Sequence, residues 1–356
     1  MAECRRINGT VQSIASTEGN KVTTMFWRGA ENFKVKPHHG NTLLWAVSQA
    51  SPYRRMHVEG SVNFDKGSWA SGGVLANSVI EGRAGLTTGQ QWFTRNSEIG
   101  RWAGGNWNRV FVGVKGAPVD QWPEEPTTII EQTPVVREKP FLTLDNRGAY
   151  AVFVPAVTRN TAGVSWRGES EAGELIPLTD FYVALPDTDT ADSLNQALAA
   201  GKHLLLTPGI YPLNSALNIT QPNTVVLGLG LPTLVPQQGE AAISVADVAG
   251  VKLAGVMVDA GPVNSPVLID VGQPRAAQTS GTKHGANPSS LHDVYCRVGG
   301  AIVGQADICL RINSNQVLVD HVWLWRADHG TGADWNVNKS RNGLVVNGDD
   351  VTIYGL

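Results

Sequence analysis

The sequence has no apolar run of about 18 residues, which excludes a transmembrane helix. Cysteine is scarce. Cys4, Cys296 and Cys309 form a small, odd set that gives no disulfide framework. Cys296 and Cys309 read as two buried thiols, with a bridge between them as the lesser alternative. An excess of one charge is also missing: 28 basic residues face 31 acidic ones, for a formal net charge of -3. Without a basic footprint, nucleic acid is not an expected partner. The first residues, Met1 to Arg6, carry charge with no apolar stretch behind it, so they are no signal peptide. No His/Cys spacing suits a metal. Gly228-Leu229-Gly230 lacks the third glycine of a dinucleotide loop.

Glycine and proline, at 39 and 19 residues, punctuate the chain. Helical periodicity is confined to Asp192–Gly201, which has a polar start, Leu194 and Leu198 one turn apart, and a glycine stop. Elsewhere short apolar runs alternate with Gly, Asn and Asp. The runs repeat. Val74–Gly82 and Trp92–Gly100 each contain an Asn-Ser pair, at Asn77-Ser78 and Asn96-Ser97, and Val110–Val114 continues the series. Four later rungs align: Val251–Val258, Leu291–Cys296, Val317–Leu324 and Val351–Leu356. Gly255, Asp293, His321 and Gly355 are their equivalent positions. Unequal spacing between these positions means a constant core with loops of varying length, as in a solenoid.

The expected fold is all-β, a right-handed parallel β-helix in two consecutive segments. Residues 1–120 form the first segment, expected to lack residues at its start. Residues 121–179 are a linker with bridging strands. The proline-rich Gln121–Pro140 is expected to be largely irregular. Residues 180–356 form the second segment. It stops in mid-pattern on an apolar edge, so further residues are expected after Leu356. The run from Leu194 to Gly230 resembles the opening of a pectate-lyase-like β-helix domain, as found in the tandem β-helix glucanases of glycoside hydrolase family 55. The stretches "FVGVKGAP", "TPVVREKPFL", "VDHVWLWRADHGTG" and "GLVVNGDDVTIYGL" resemble large microbial proteins labelled coagulation factor 5/8 type domain proteins. The resemblance implies an extracellular, polysaccharide-degrading enzyme.

Strand alternation carries the site reading. With Val256, Val294 and Val322 inward, Val258, Cys296 and Leu324 point inward too. Met257, Tyr295 and Trp323 then stack in one outward column, and Asp259, Arg297 and Trp325 in the next. Aromatic faces suit the apolar faces of sugars, and acids and arginines suit their hydroxyls. The candidate substrate-binding residues are therefore Tyr295, Trp323, Trp325, Arg326, Arg297, Asp259 and Trp335. Glycosidic cleavage needs two carboxyl groups, one of them protonated. Asp328 is the first choice as acid, because its loop follows the tryptophans. Asp320 or Asp334 would be its partner, and His329 could relay a proton. Asp349-Asp350 reads as a turn pair.

The leading function is hydrolysis of a glucan-like polysaccharide. The alternatives are a polysaccharide lyase, using Arg297 or Arg326 to neutralise charge, and a non-catalytic, glycan-binding or adhesive β-helix. The expected partner is the polysaccharide alone, with no membrane, and the complete protein is expected to be a monomer. No cofactor is expected. A Ca²⁺ site among the loop aspartates stays open as an alternative.

Overall fold

The computed structural model describes residues 5–7, 22–37, 40–65, 67, 69–87, 89–105, 107–168, 171–274 and 281–356. The chain divides into two compact units. The first comprises 1–138 with 155–173, and the second 139–154 with 174–356.

In the first unit, short strands stack in parallel. Pro52–Arg54, Val74–Ala76, Trp92–Arg95 and Arg109–Val112 are neighbours in one ladder. Tyr53, Leu75 and Phe111 point inward from it into a shared core. Each rung then bends at one residue with positive φ: Arg55, Asn77, Asn96 and Gly113. Left-handed backbone costs little for glycine and is tolerated by asparagine. The repeated Asn-Ser pairs are these corners.

The structure corrects the expectation over Gln121–Pro140. Thr127–Ile130 pairs in parallel with Arg109–Val112, adding a rung to the ladder, and Thr133–Arg137 pairs antiparallel with Val157–Thr161. The prolines at 123 and 126 lie before this rung. Its Thr-Thr-Ile-Ile run favours a strand, and Ile129 packs against the core.

The second unit carries a ladder in which Phe181–Ala184, His203–Leu206, Val225–Gly228, Lys252–Ala254, Ser290–Val298, Leu318–Arg326 and Thr352–Tyr354 succeed one another in parallel register. The helix forms at Ala191–Ala199 and buries Leu194 and Leu198. Its cap is Thr190, two residues before the expected start, which exchanges hydrogen bonds with Ser193 in a capping box.

The four aligned rungs register as expected. Val256, Val258, Val294, Cys296 and Val322 lie in one buried cluster, with Leu324 half-buried against it. Gly255, Asp293, His321 and Gly355 all have φ between 50° and 67°. Cys296 and Cys309 are free, buried thiols, and burial pushes the Cys296 thiol well above its usual range. A three-stranded sheet, Phe141–Leu144, Tyr150–Pro155 and Gly173–Pro177, accompanies this unit. Its Val152, Val154 and Ile176 cover Leu205, Leu227 and Ala254, which are outward residues of the coils.

Leu253 lies between Val226 and Leu291 in the inward column and is 1% exposed. Leu253→Ala is expected to lower the unfolding free energy by about 2–5 kcal/mol through lost burial and a residual cavity. Urea titration followed by circular dichroism checks this, and an unchanged midpoint would contradict the inward register.

Candidate functional site

The two outward columns form with the expected neighbours. Tyr295 pairs in register with Met257 on one side and Trp323 on the other, and Arg297 with Asp259 and Trp325. They are less open than alternation alone implies. Tyr295 and Met257 are buried, as is Asp259. Arg297 donates to Asp259 through Nε at 2.6 Å and a terminal nitrogen at 2.7 Å. This bidentate pair neutralises both groups, so the guanidinium is committed to its neighbour rather than offered to a ligand.

Exposure grows toward the later coils. Trp323 and Trp325 are half-buried, and their rings stack with centroids 5.5 Å apart and planes 15° from parallel. The His329 ring sits 5.3 Å from Trp325. His329 Nδ1 lies 2.6 Å from Oδ1 of Asp328. An ionised carboxylate only accepts, so the proton belongs on Nδ1, and in the neutral ring Nε2 is left as an acceptor. The Asp328 side chain is 75% exposed and that of His329 65%. Trp323, Trp325, His329 and Asp328 thus come together, as expected.

The other candidates separate. Asp320 is buried, with Oδ2 3.4 Å from Nδ1 of His292, itself buried. A sugar does not reach it. Asp334 is exposed and caps its own loop, with Oδ1 accepting from the backbone N–H of Trp335. Trp335 packs with Arg326, whose guanidinium carbon lies 5.7 Å from the ring centroid. Among the described residues no group of three or more His, Cys, Asp or Glu side chains could hold a metal ion. Among the described residues no helix is long and apolar enough to cross a membrane.

The loop 327–341 after Trp325 is held firmly. Gly300 and Thr331 exchange backbone hydrogen bonds of 2.8 and 2.9 Å. Gly300 has φ +94°, and a Cβ there would stand 3.0 Å from the Trp325 ring, so glycine is required on both counts. The amide of Asn338 donates to the carbonyls of Val298 and Ala327, at 2.7 and 2.8 Å. Asn338-Lys339-Ser340 fits a glycosylation pattern, but this buried amide is already engaged.

A further polar chain was not legible in the sequence. Lys139 Nζ lies 3.3 Å from Asp293 Oδ2, Asp293 Oδ1 lies 2.8 Å from His321 Nδ1, and the Tyr295 hydroxyl lies 3.2 Å from the same nitrogen. Asp293, His321 and Tyr295 are all buried. A signal was present: Asp293 and His321 occupy corner positions where two other rungs have glycine. In the first unit, Arg55 pairs with Glu171 and lies 5.9 Å from the Trp166 ring centroid, while His57 Nε2 is 2.7 Å from Glu81. Pattern reading missed this cluster too, because its partners are far apart in sequence.

Residues 181–356 match the LAM55 pectate lyase-like domain. The chain is 49% identical, over 98% of its length, to a protein of Streptomyces sp. (strain SirexAA-E / ActE) described as an exo-beta-1,3-glucanase, and spans 57% of that protein. The structure of sacteLam55A from Streptomyces sp. SirexAA-E superposes with a TM-score of 0.92 at 48% identity, covering 97% of this chain and 62% of that one. A variant of sacteLam55A in complex with glucose gives 0.93 at the same identity and coverage.

Asn338→Asp keeps the shape of the side chain but removes both donors. It is expected to lower stability by about 1–3 kcal/mol, because two buried carbonyls lose their partner. Amide hydrogen exchange should speed up over 327–341, and unchanged exchange there would contradict the pinned loop.

Proposed function

We propose, taking the match of residues 181–356 to the LAM55 pectate lyase-like domain as premise, that this protein hydrolyses β-1,3-glucan from the chain end. The likeness that carries the reading is 49% identity across 98% of the chain to an exo-beta-1,3-glucanase. In this reading residues 1–120 and 180–356 are two right-handed β-helical segments joined by 121–179, and the protein works outside the cell as a monomer.

The stacked Trp323 and Trp325 offer an apolar wall to a glucose ring, and half-buried aromatics are suited to such contacts. His329 Nε2 supplies an acceptor for its hydroxyls. Asp328 is also the chain's first candidate for proton donor. In that role its carboxyl hydrogen passes to the glycosidic oxygen as the bond to the anomeric carbon breaks. Water adds to that carbon and releases a proton to a second carboxylate. Asp259 and Arg297 support the wall from the neighbouring coils. The lyase reading is disfavoured because Arg297 is closed onto Asp259.

The test is glucose release from β-1,3-glucan, followed by chromatography, with ultraviolet absorbance monitoring unsaturated products. Glucose as the sole early product supports the proposal, and unsaturated products or no cleavage would overturn it. Asp328→Asn is expected to cut turnover at least a hundredfold, roughly the loss of an acid catalyst, with the unfolding curve unchanged. Near-normal turnover with a raised KM would reduce Asp328 to a hydroxyl contact.

A further inference from the structure

Trp335 is 82% exposed, well above Trp122 at 61%, Trp69 at 54% and Trp107 at 52%. Exposing an indole to water forgoes most of its burial free energy. Single exposed apolar side chains are common on protein surfaces; Trp335 differs in sitting on a pinned loop. This loop is fixed. Asn338, two residues past the neighbour of Trp335, is buried and bonds Val298 and Ala327 by its amide, while its Oδ1 accepts from the backbone of Asp334 at 3.2 Å. The next residue is then set by the Asp334 cap on the Trp335 N–H.

The ring is also oriented. The Arg326 guanidinium lies over it at 5.7 Å, a cation–π contact. Val337, two residues further along the loop, is also exposed, at 48%. Asp334 adds an exposed carboxylate, which balances Arg326. The surface is therefore a fixed aromatic plate with a guanidinium over one face and a carboxylate on the preceding residue, so that its charges nearly cancel. A phosphorylated or strongly charged ligand finds no net attraction there. A neutral pyranose does: its axial C–H face suits the open side of the indole, and its equatorial hydroxyls suit the carboxylate and guanidinium.

We propose that Trp335, with Arg326 and Asp334, is an anchoring site for a neutral β-glucan chain, whose role is to hold polymer on the protein rather than to cleave it. The anchor rests on the glucan reading above, but it is read out by retention, not by turnover. An exposed plate of this kind contributes most to polymers and particles, where many weak contacts add by proximity.

The test is retention of the full chain on insoluble β-1,3-glucan particles, with cellulose as the comparison, and mobility in native gels containing soluble β-1,3-glucan. Trp335→Ala is expected to weaken binding about tenfold, the scale of one lost aromatic contact, with an unchanged unfolding midpoint. Trp335→Phe should recover most of it. Wild-type retention by Trp335→Ala, or no retention of the wild type, would overturn the anchor. So would a loss of self-association in Trp335→Ala with glucan retention intact, since the surface would then be a contact between copies. Trp335-dependent retention without any glucose release leaves the anchor standing and removes the hydrolase reading. Glucose release with Trp335-independent retention does the reverse.

Discussion

One backbone constraint recurs in both units: eight rungs each turn their corner on a single residue in left-handed conformation. Arg55, Asn77, Asn96 and Gly113 do this in the first unit, and Gly255, Asp293, His321 and Gly355 in the second. A corner at a fixed place sets which residues of the flanking strands face inward. A slip of one residue would turn the whole set over, placing valines in water and charges in the core. Val256, Val294 and Val322 follow the corners directly, and all three are buried in one cluster. The corners therefore determine the outward columns as well, and with them the surface available for chemistry.

The corner also carries polar groups inward from the surface. Glycine suits the conformation best, yet two corners bear Asp293 and His321. The cost of a left-handed Asp or His is modest. It is offset by the bonds they make, from Lys139 through Asp293 to His321 and Tyr295. A buried carboxylate between a lysine and an imidazole is tolerable only because it is paired on both sides. Coil geometry and buried electrostatics are thus coupled at the same positions.

Much of this was legible in the sequence, because alternation and glycine-like corners are local signals. The rung alignment, the inward valines, the neighbours Tyr295–Trp323 and Arg297–Trp325 and the free thiols all follow from them. What covers an outward face is not a local property. Tyr295 and Asp259 sit on outward columns and are nevertheless buried, and Asp320 is closed in beside His292. Thr127–Ile130 was masked by the prolines just before it, although its own residues favour a strand. Asn338 looked like part of a glycosylation pattern, while the two carbonyls that engage its amide come from residues 298 and 327. Within the candidate site, composition singled out the polar loop 326–335. It did not separate the aromatic wall at Trp323 and Trp325 from the exposed plate at Trp335.

The most direct measurement is a crystal structure of this chain soaked with a β-1,3-linked glucose oligomer. A pyranose ring should lie against Trp325, with a hydroxyl donating to Nε2 of His329 and another within reach of Asp328. The Asp259–Arg297 pair should remain closed. Sugar bound elsewhere, with the Trp323–Trp325 stack and His329 untouched, would contradict the assignment of the outward columns as the sugar-facing surface.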